Sequence, residues 1–318
     1  MTAARMRIGV SQCLLGENVR FDAGHKRNEY VLLTLGKWFE FVPVCPEMEI
    51  GLGTPRESLR LVQSGNQVRL VAPKSASDHT ATMLEYSKRR AKQLESQRLV
   101  GYVFKKDSPS CGMERVRVYA DAGMPHKNGR GLYAAAVIDL MPALPVEEEG
   151  RLGDPRLREN FVTRVFAYSR WLALEEEGLT RARLFRFHEQ HKYVLMAHSQ
   201  AGLRELGHLL GSALKGSDTK ALARRYLEQF TTIMSRVPTA KNHANTLYHV
   251  AGYFTDRLDT ADRAELVHMI EQYHQGHLPL IVPVTLVRHY VRKYEVPYLG
   301  DQVYLNPHPN EMMLLNHV

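Results

Sequence analysis

The chain has 318 residues, 44% hydrophobic and 24% charged, enough to bury a sizeable core and long enough to suggest two domains. It contains no apolar run of about eighteen residues that would span a membrane, and its start, MTAARMRIGV, lacks the features of a secretory signal; a cytoplasmic protein with no membrane partner is expected. The net charge of +8 favours an anionic partner such as a nucleotide or RNA but is spread along the chain, and three cysteines are too few for a disulfide framework.

MRIGVSQCLL is a short apolar run ending at Cys13, and FEFVPVCPE repeats the arrangement at Cys45 after the amphipathic stretch YVLLTLGKWF. The pattern predicts strand, helix, strand. QVRLVAP is a third strand candidate, and the polar segment 78–97, with Asp78 as a cap, predicts a helix. LVGYVFKKDSPSCG is a fourth apolar stretch, running into a Ser/Pro/Gly loop that carries Cys111. Strands alternating with helices argue for an α/β domain, a parallel or mixed sheet flanked by helices, and such sheets bind ligands beyond the carboxyl ends of their strands. After the helix candidate GRGLYAAAVIDLM, the stretch PALPVEEEGRLGDP reads as a linker. A boundary near Arg151 divides the chain into residues 1–150 and 151–318. Beyond it the period is helical, in RLRENFVTRVFAYSRWLALEEEG, a long segment from Thr180 to Leu210, and three further stretches down to ADRAELVHMIEQYHQG. Thr180 and Asp262 serve as helix starts and Gly276 before Pro279 as a stop, giving an all-α C-terminal domain.

Each cysteine is followed within a few residues by glycine, proline or a turn, whereas a structural cysteine usually sits among apolar residues inside an element. Backbone N–H groups in such loops stabilise thiolate charge, so Cys13, Cys45 and Cys111 are candidates for one shared site. Structural zinc, with four closed ligands, fits poorly; a three-ligand catalytic zinc stays open, as does a cysteine nucleophile with His25 or His79 as base. Three soft thiolates also suit a cubane iron–sulfur cluster whose fourth iron has no protein ligand. GRGLYA is a weak match to the dinucleotide fingerprint; it is read instead as a helix start where Gly129 and Arg130 contact an anion or a pyrimidine carbonyl. His188, His191 and His198 share a helix face without a carboxylate at metal-ligand spacing, which favours packing. Lys241, Asn242 and His243, with Tyr248, His249 and Tyr253, either stack on bases or form a helical core with solvated edges.

The segments SQCLLGENVRFDAGHKRN, CPEMEIGLGTPRE, DSPSCG and NGRGLYAAAV, in that order, resemble the motifs of the TudS-type thiouracil desulfurases. HKYVLMAHS, NTLYHVAGYF, LPLIVPVTLVRHY and YLNPHP resemble the helical YbgA-like domain, of unassigned function, that is fused behind it. The resemblance implies that Cys13, Cys45 and Cys111 are metal ligands holding a [4Fe-4S] cluster whose free iron takes sulfur from a thiolated pyrimidine. It also points to Glu47 as the acid/base residue, with Ser108 or Ser110 bonding the base or the departing sulfur. Met48, Glu49, Ile50, Glu57 and Ser58 depart from the stand-alone enzymes and resemble the fused branch, so the pocket loop differs.

The activity implied is a non-redox desulfurisation: iron acts as a Lewis acid, water attacks the ring carbon, and uracil-type product and hydrogen sulfide are released. RNA or a nucleotide is an expected partner of the C-terminal domain, and an oligomer is left open. Two other classes stay open: a cluster- or zinc-containing nucleic-acid-binding or sensing protein without activity, and a thiol enzyme without a cluster.

Overall fold

The computed structural model describes residues 5–120, 124–213 and 218–318. The chain divides into two compact units, Met1–Gly153 and Asp154–Val318. The strands of the first are β1 (Met6–Ser11), β2 (Phe39–Val44), β3 (Arg60–Ser64), β4 (Gln67–Ala72), β5 (Ser77–Asp78), β6 (Gly101–Phe104), β7 (Val116–Tyr119), β8 (His126–Gly129) and β9 (Val146–Glu148). Its helices are α1 (Pro46–Glu49), α2 (Thr80–Ser96) and α3 (Leu132–Leu140). Strands β2-β1-β6-β9 form a sheet in which every pairing is parallel, and β5-β4-β3-β7-β8 form a second sheet that is parallel only between β3 and β7. The N-terminal unit is therefore α/β with one parallel and one mixed sheet.

β1 and β6 read as nearly continuous apolar runs because both lie in the middle of the parallel sheet, buried from both faces. Gly9 lets them approach: a Cβ there would lie 2.2 Å from a ring carbon of Tyr102. YVLLTLGKWF is not an α-helix. It forms a wide π turn at Tyr30–Thr34 and a 3-10 turn at Leu35–Lys37, with Val31 and Leu35 buried, so the apolar spacing reports the buried face but not the winding. The cap of α2 is His79 rather than Asp78, which ends β5 and accepts from the Thr80 N–H at 2.8 Å. The reading of PALPVEEEGRLGDP as a linker is corrected: Val146–Glu148 is an edge strand of the parallel sheet, paired with β6, and Glu147 and Glu148 are buried.

The second unit is helical: α4 (Pro155–Glu176), α5 (Arg181–Gln190), α6 (Lys192–His198), α7 (Gln200–Gly211), α8 (Thr219–Met234), α9 (Ala240–Ala251), α10 (Thr260–His274), α11 (Ile281–Lys293) and α12 (Pro297–Gly300). The long segment from Thr180 to Leu210 forms three helices. Thr180 caps α5, and the chain is broken at His191 and again at Ser199, whose extended backbone and hydroxyl cap α7. α10 begins earlier than Asp262, with Asp259 accepting from the Asp262 N–H at 2.8 Å. It ends at Gly276, where φ is +80° and glycine is the easiest residue to place. The core gathers Trp171, Phe187, Tyr226 and Phe230 in stacked and edge contacts. Among the described residues, no helix is long and apolar enough to cross a membrane.

Candidate three-cysteine active site

Parallel register sets two of the cysteines side by side. Ser11 pairs level with Val44, so the residues that follow, Gln12–Cys13 and Cys45, leave the same edge of the sheet. β6 pairs with β1 at Val10–Val103, which carries Lys105 to Ser11; the Lys105 N–H donates to Ser11 Oγ at 2.9 Å. The chain then turns through 106–112 to Cys111. The three cysteines line one cavity of about 680 Å³, together with Glu47, Arg56, Lys105, Ser108 and Glu149. All three are free of disulfides; Cys45 and Cys111 are buried and Cys13 is partly so.

The Cys111 loop has no regular structure and is held by its neighbours. Ser108 Oγ accepts from the N–H groups of Ser110 and Cys111 at 3.2 and 3.0 Å, and the Gly112 N–H returns to the Ser108 carbonyl at 2.8 Å. From the other side the first N–H groups of α3 donate into the loop: Leu132 to Pro109, and Tyr133 and Ala134 to Ser110, at 3.0–3.1 Å. Glu148 accepts from the Met113 N–H at 2.8 Å, while Glu149 accepts from Lys106 N–H and Lys105 Nζ at 2.8 and 2.7 Å.

Burial, reinforced by the Glu47 carboxylate, pushes the thiol of Cys13 up to about 11 and that of Cys45 to about 12, and burial lifts Cys111 well above the usual thiol range. With no cation present the three are neutral thiols; a bound metal ion reverses that preference by stabilising thiolate. The Cys45 thiol donates to Glu47 Oε2 at 3.5 Å, with Arg56 Nη2 4.0 Å from the same oxygen. Arg56 is itself fixed by the carbonyls of Val19 and Gly53 at 2.9 and 2.7 Å. Among the described residues no three His, Cys, Asp or Glu side chains are gathered as ligands of one metal ion.

Of the residues singled out in the sequence, Cys13, Cys45, Cys111, Glu47 and Ser108 share the cavity. Ser110 does not line it; its hydroxyl is buried and has no hydrogen-bond partner among the described residues. Gly129 and Arg130 lie outside the cavity lining too. A Cβ on Gly129 would be 2.5 Å from Val118 and 2.9 Å from the Val116 carbonyl, while Arg130 donates to the Met113 carbonyl at 3.2 Å and pairs with Asp139 at 3.6 Å. The helix start they precede has already spent its N–H groups on the Cys111 loop, which leaves them unavailable to an anion. Ser11, Arg56, Lys105 and Glu149 went unassigned in the sequence; the Lys-Lys pair closing an apolar run and the Arg of GLGTPRE were the available signals. In the helical unit, His188, His191 and His198 each have a separate partner, Tyr226 OH, the Phe187 carbonyl and the Arg236 carbonyl, at 3.1, 2.7 and 2.6 Å. Burial depresses them to about 4, 3 and 4, so all three are neutral packing groups near pH 7.

Thiols converging on one cavity at the strand ends of an α/β unit, in a chain that also carries a helical unit, define a two-part protein with three free cysteines at one cavity of its first part. Residues 8–149 match the 2-thiouracil desulfurase family model and residues 192–309 match that of a protein of unknown function (DUF1722). The uncharacterised protein YbgA of Escherichia coli (strain K12) is 30% identical over 159 residues, 50% of this chain and 94% of that relative. The chain belongs to the YbgA-like family and carries a 2-thiouracil desulfurase family domain at its N-terminal side. A solved structure, that of the [4Fe-4S]-dependent thiouracil desulfidase TudS, is similar at 28% identity and a TM-score of 0.39, covering 47% of this chain and 94% of that one.

Proposed function

We propose that the N-terminal unit is a desulfurase of thiolated pyrimidines, 2- or 4-thiouracil or the related nucleosides and nucleotides, which replaces the thiocarbonyl sulfur with oxygen from water. The observation that carries this reading is the convergence of three disulfide-free thiols on one cavity, with the Glu47 carboxylate 3.5 Å from one of them. The family match over residues 8–149 supports the substrate class.

The donor set fits a [4Fe-4S] cluster. A single zinc ion draws its sulfurs to about 2.3 Å and so packs them together, whereas a cluster takes each thiolate on a different iron and needs them spaced around it. Cys13, Cys45 and Cys111 would hold the cluster, which when bound would supply a Lewis acid for the thiocarbonyl sulfur. Glu47 takes a proton from the attacking water and returns it to the departing sulfur, while Arg56 keeps its carboxylate at the cavity wall. Ser108 uses its oxygen to accept from the loop, leaving its hydroxyl proton for the base or the sulfur. The net change, C=S plus water to C=O plus hydrogen sulfide, balances without an oxidant or a reductant.

The test is anaerobic quantification of iron and acid-labile sulfide in the full chain and its Cys13→Ser, Cys45→Ser and Cys111→Ser variants, alongside sulfide release from 2- and 4-thiouracil. Each cysteine variant should lose iron and activity together, and Glu47→Gln should keep iron while losing about 10²–10⁴-fold in rate. Any cysteine variant that retains both refutes the three-ligand site. Iron-loaded wild type that releases no sulfide from either base refutes the desulfurase.

A further inference from the structure

The helical unit has a cavity of its own, about 420 Å³, within the range of small-molecule sites. It is walled by residues remote in sequence: Arg156 and Glu159 from α4, Pro238 and His243 around the start of α9, and Tyr273 from the end of α10. Glu159 is a buried carboxylate. Its Oε1 accepts from the Thr163 hydroxyl at 2.7 Å and lies 3.8 Å from His308 Nε2; among the described residues nothing hydrogen-bonds its Oε2. Burial raises this carboxyl, but the nearby His308 imidazole and the Thr163 hydroxyl outweigh burial and hold it below the usual range. An ionised carboxylate with an unused oxygen beside a cavity is costly to maintain without a partner.

Arg156, one turn earlier on the same helix and exposed, has the complementary deficit. Its guanidinium makes one hydrogen bond, to the Pro238 carbonyl at 3.2 Å, and among the described residues no carboxylate stands within 4.0 Å of it. Glu159 and Arg156 thus flank one cavity with opposite charges and do not pair with each other; His277, His317 and Val318 line the same cavity. His243 adds no charge between them: its Nδ1 meets Tyr304 OH at 3.1 Å, and burial depresses it to about 4. A purely cationic ligand meets Arg156 and a purely anionic one meets Glu159, and either clash selects against it.

We propose that this cavity binds a small zwitterion, a free α-amino acid whose ammonium group pairs with Glu159 and whose carboxylate pairs with Arg156, its side chain lying among Pro238, Tyr273 and His243. The reading is independent of the chemistry assigned to the N-terminal unit.

The test is calorimetry and saturation-transfer NMR on the full chain with each of the proteinogenic L-amino acids, with putrescine and succinate as cation-only and anion-only probes. At least one amino acid should bind with Kd below about 1 mM, and neither comparator should bind. Glu159→Gln and Arg156→Gln should each weaken binding by about tenfold or more, the loss of one charge-assisted pair. Arg156 is exposed, so its variant tests the site even if the Glu159 variant fails to fold. The proposal is overturned if no amino acid binds below about 1 mM, if either comparator binds as well as the best amino acid, or if Arg156→Gln leaves affinity unchanged.

Discussion

Replacing Gly131 by alanine tests how tightly the Cys111 loop is held. Gly131 has ordinary extended backbone angles, φ −61° and ψ 138°, so an L side chain carries no conformational penalty there. The penalty is steric. The added Cβ would lie 2.4 Å from the carbonyl carbon and oxygen of Ser110 and 2.8 Å from the Cys111 nitrogen. Comfortable contact is about 3.5 Å, so relief requires the 110–111 peptide or the start of α3 to move by about 1 Å. These are backbone atoms tied by the Leu132, Tyr133 and Ala134 hydrogen bonds and cannot swing aside as a side chain would. The cost is expected near the upper end of overpacking, about 2–3 kcal/mol. Hydrogen exchange followed by mass spectrometry reads this locally: the amides of 132–134 should exchange about 30- to 150-fold faster, the factor equivalent to that energy. Iron content should fall in the same preparation because Cys111 moves with the peptide. Gly153→Ala, whose Cβ would meet nothing within 4 Å, is the control and should change stability by less than about 0.5 kcal/mol. Wild-type exchange and full iron in Gly131→Ala would refute the account of the loop.

Three other perturbations have defined outcomes. Glu148→Ala strands the Met113 N–H that Glu148 accepts at 2.8 Å and should destabilise the N-terminal unit by about 1–3 kcal/mol, with Glu148→Gln recovering most of it in a denaturant titration. Asp154→Ala removes the acceptor of the Arg156 and Leu157 N–H groups at the start of α4 and should cost about 1 kcal/mol by the same measurement. Burial depresses His191 to about 3, against about 6.5 in an unfolded chain, so the unfolded state binds the extra proton and stability falls as pH drops below about 6.5. At about pH 5.5 this one residue should cost about 1.2 kcal/mol relative to neutral pH, which His191→Asn should abolish; Trp171 fluorescence in a Trp38→Phe background reports the transition, and an unchanged pH slope in the variant would refute it.

Where hydrophobic runs and caps carried the information, the fold was legible. β1, β2, β4 and β6 coincide with the apolar runs, and Thr180 does cap α5, whereas α2 is capped at His79, one residue after Asp78. The misread segments have physical reasons. VEEE looked like a linker because its carboxylates suggest solvent, yet β9 buries two of them against N–H groups and an arginine: the Glu148 N–H donates to Glu147 Oε1 at 3.0 Å, and Arg151 Nε donates to the same oxygen at 2.6 Å. β7 and β8 escaped notice since VRVY is short and half polar and HKNG has no apolar side chain, and they are strands only by joining a sheet whose other members lie some fifty residues away. The long segment of helical period from Thr180 to Leu210 did not disclose its breaks, one of them at Ser199, which can cap a helix as readily as sit inside one; its Oγ captures the Gly202 N–H at 3.1 Å.

The three cysteines were legible to different depths for the same kind of reason. Cys13 and Cys45 follow two adjacent parallel strands in register, so the apolar patterns that disclose β1 and β2 also bring those thiols to one edge. Cys111 lies seven residues beyond β6, in a loop with no periodicity of its own. Its position is settled from outside by the α3 amides, by Gly131 standing against Ser110, and by Glu148 and Glu149 more than thirty residues further along the chain. No local spacing could announce those contacts, and this also explains why Gly129 and Arg130 invited a ligand-binding reading: the helix start beside them is an anion site in isolation, already filled here by the carbonyls of the cysteine loop. The GRG motif therefore acts on the site through packing, holding the third thiol at the cavity that the first two line.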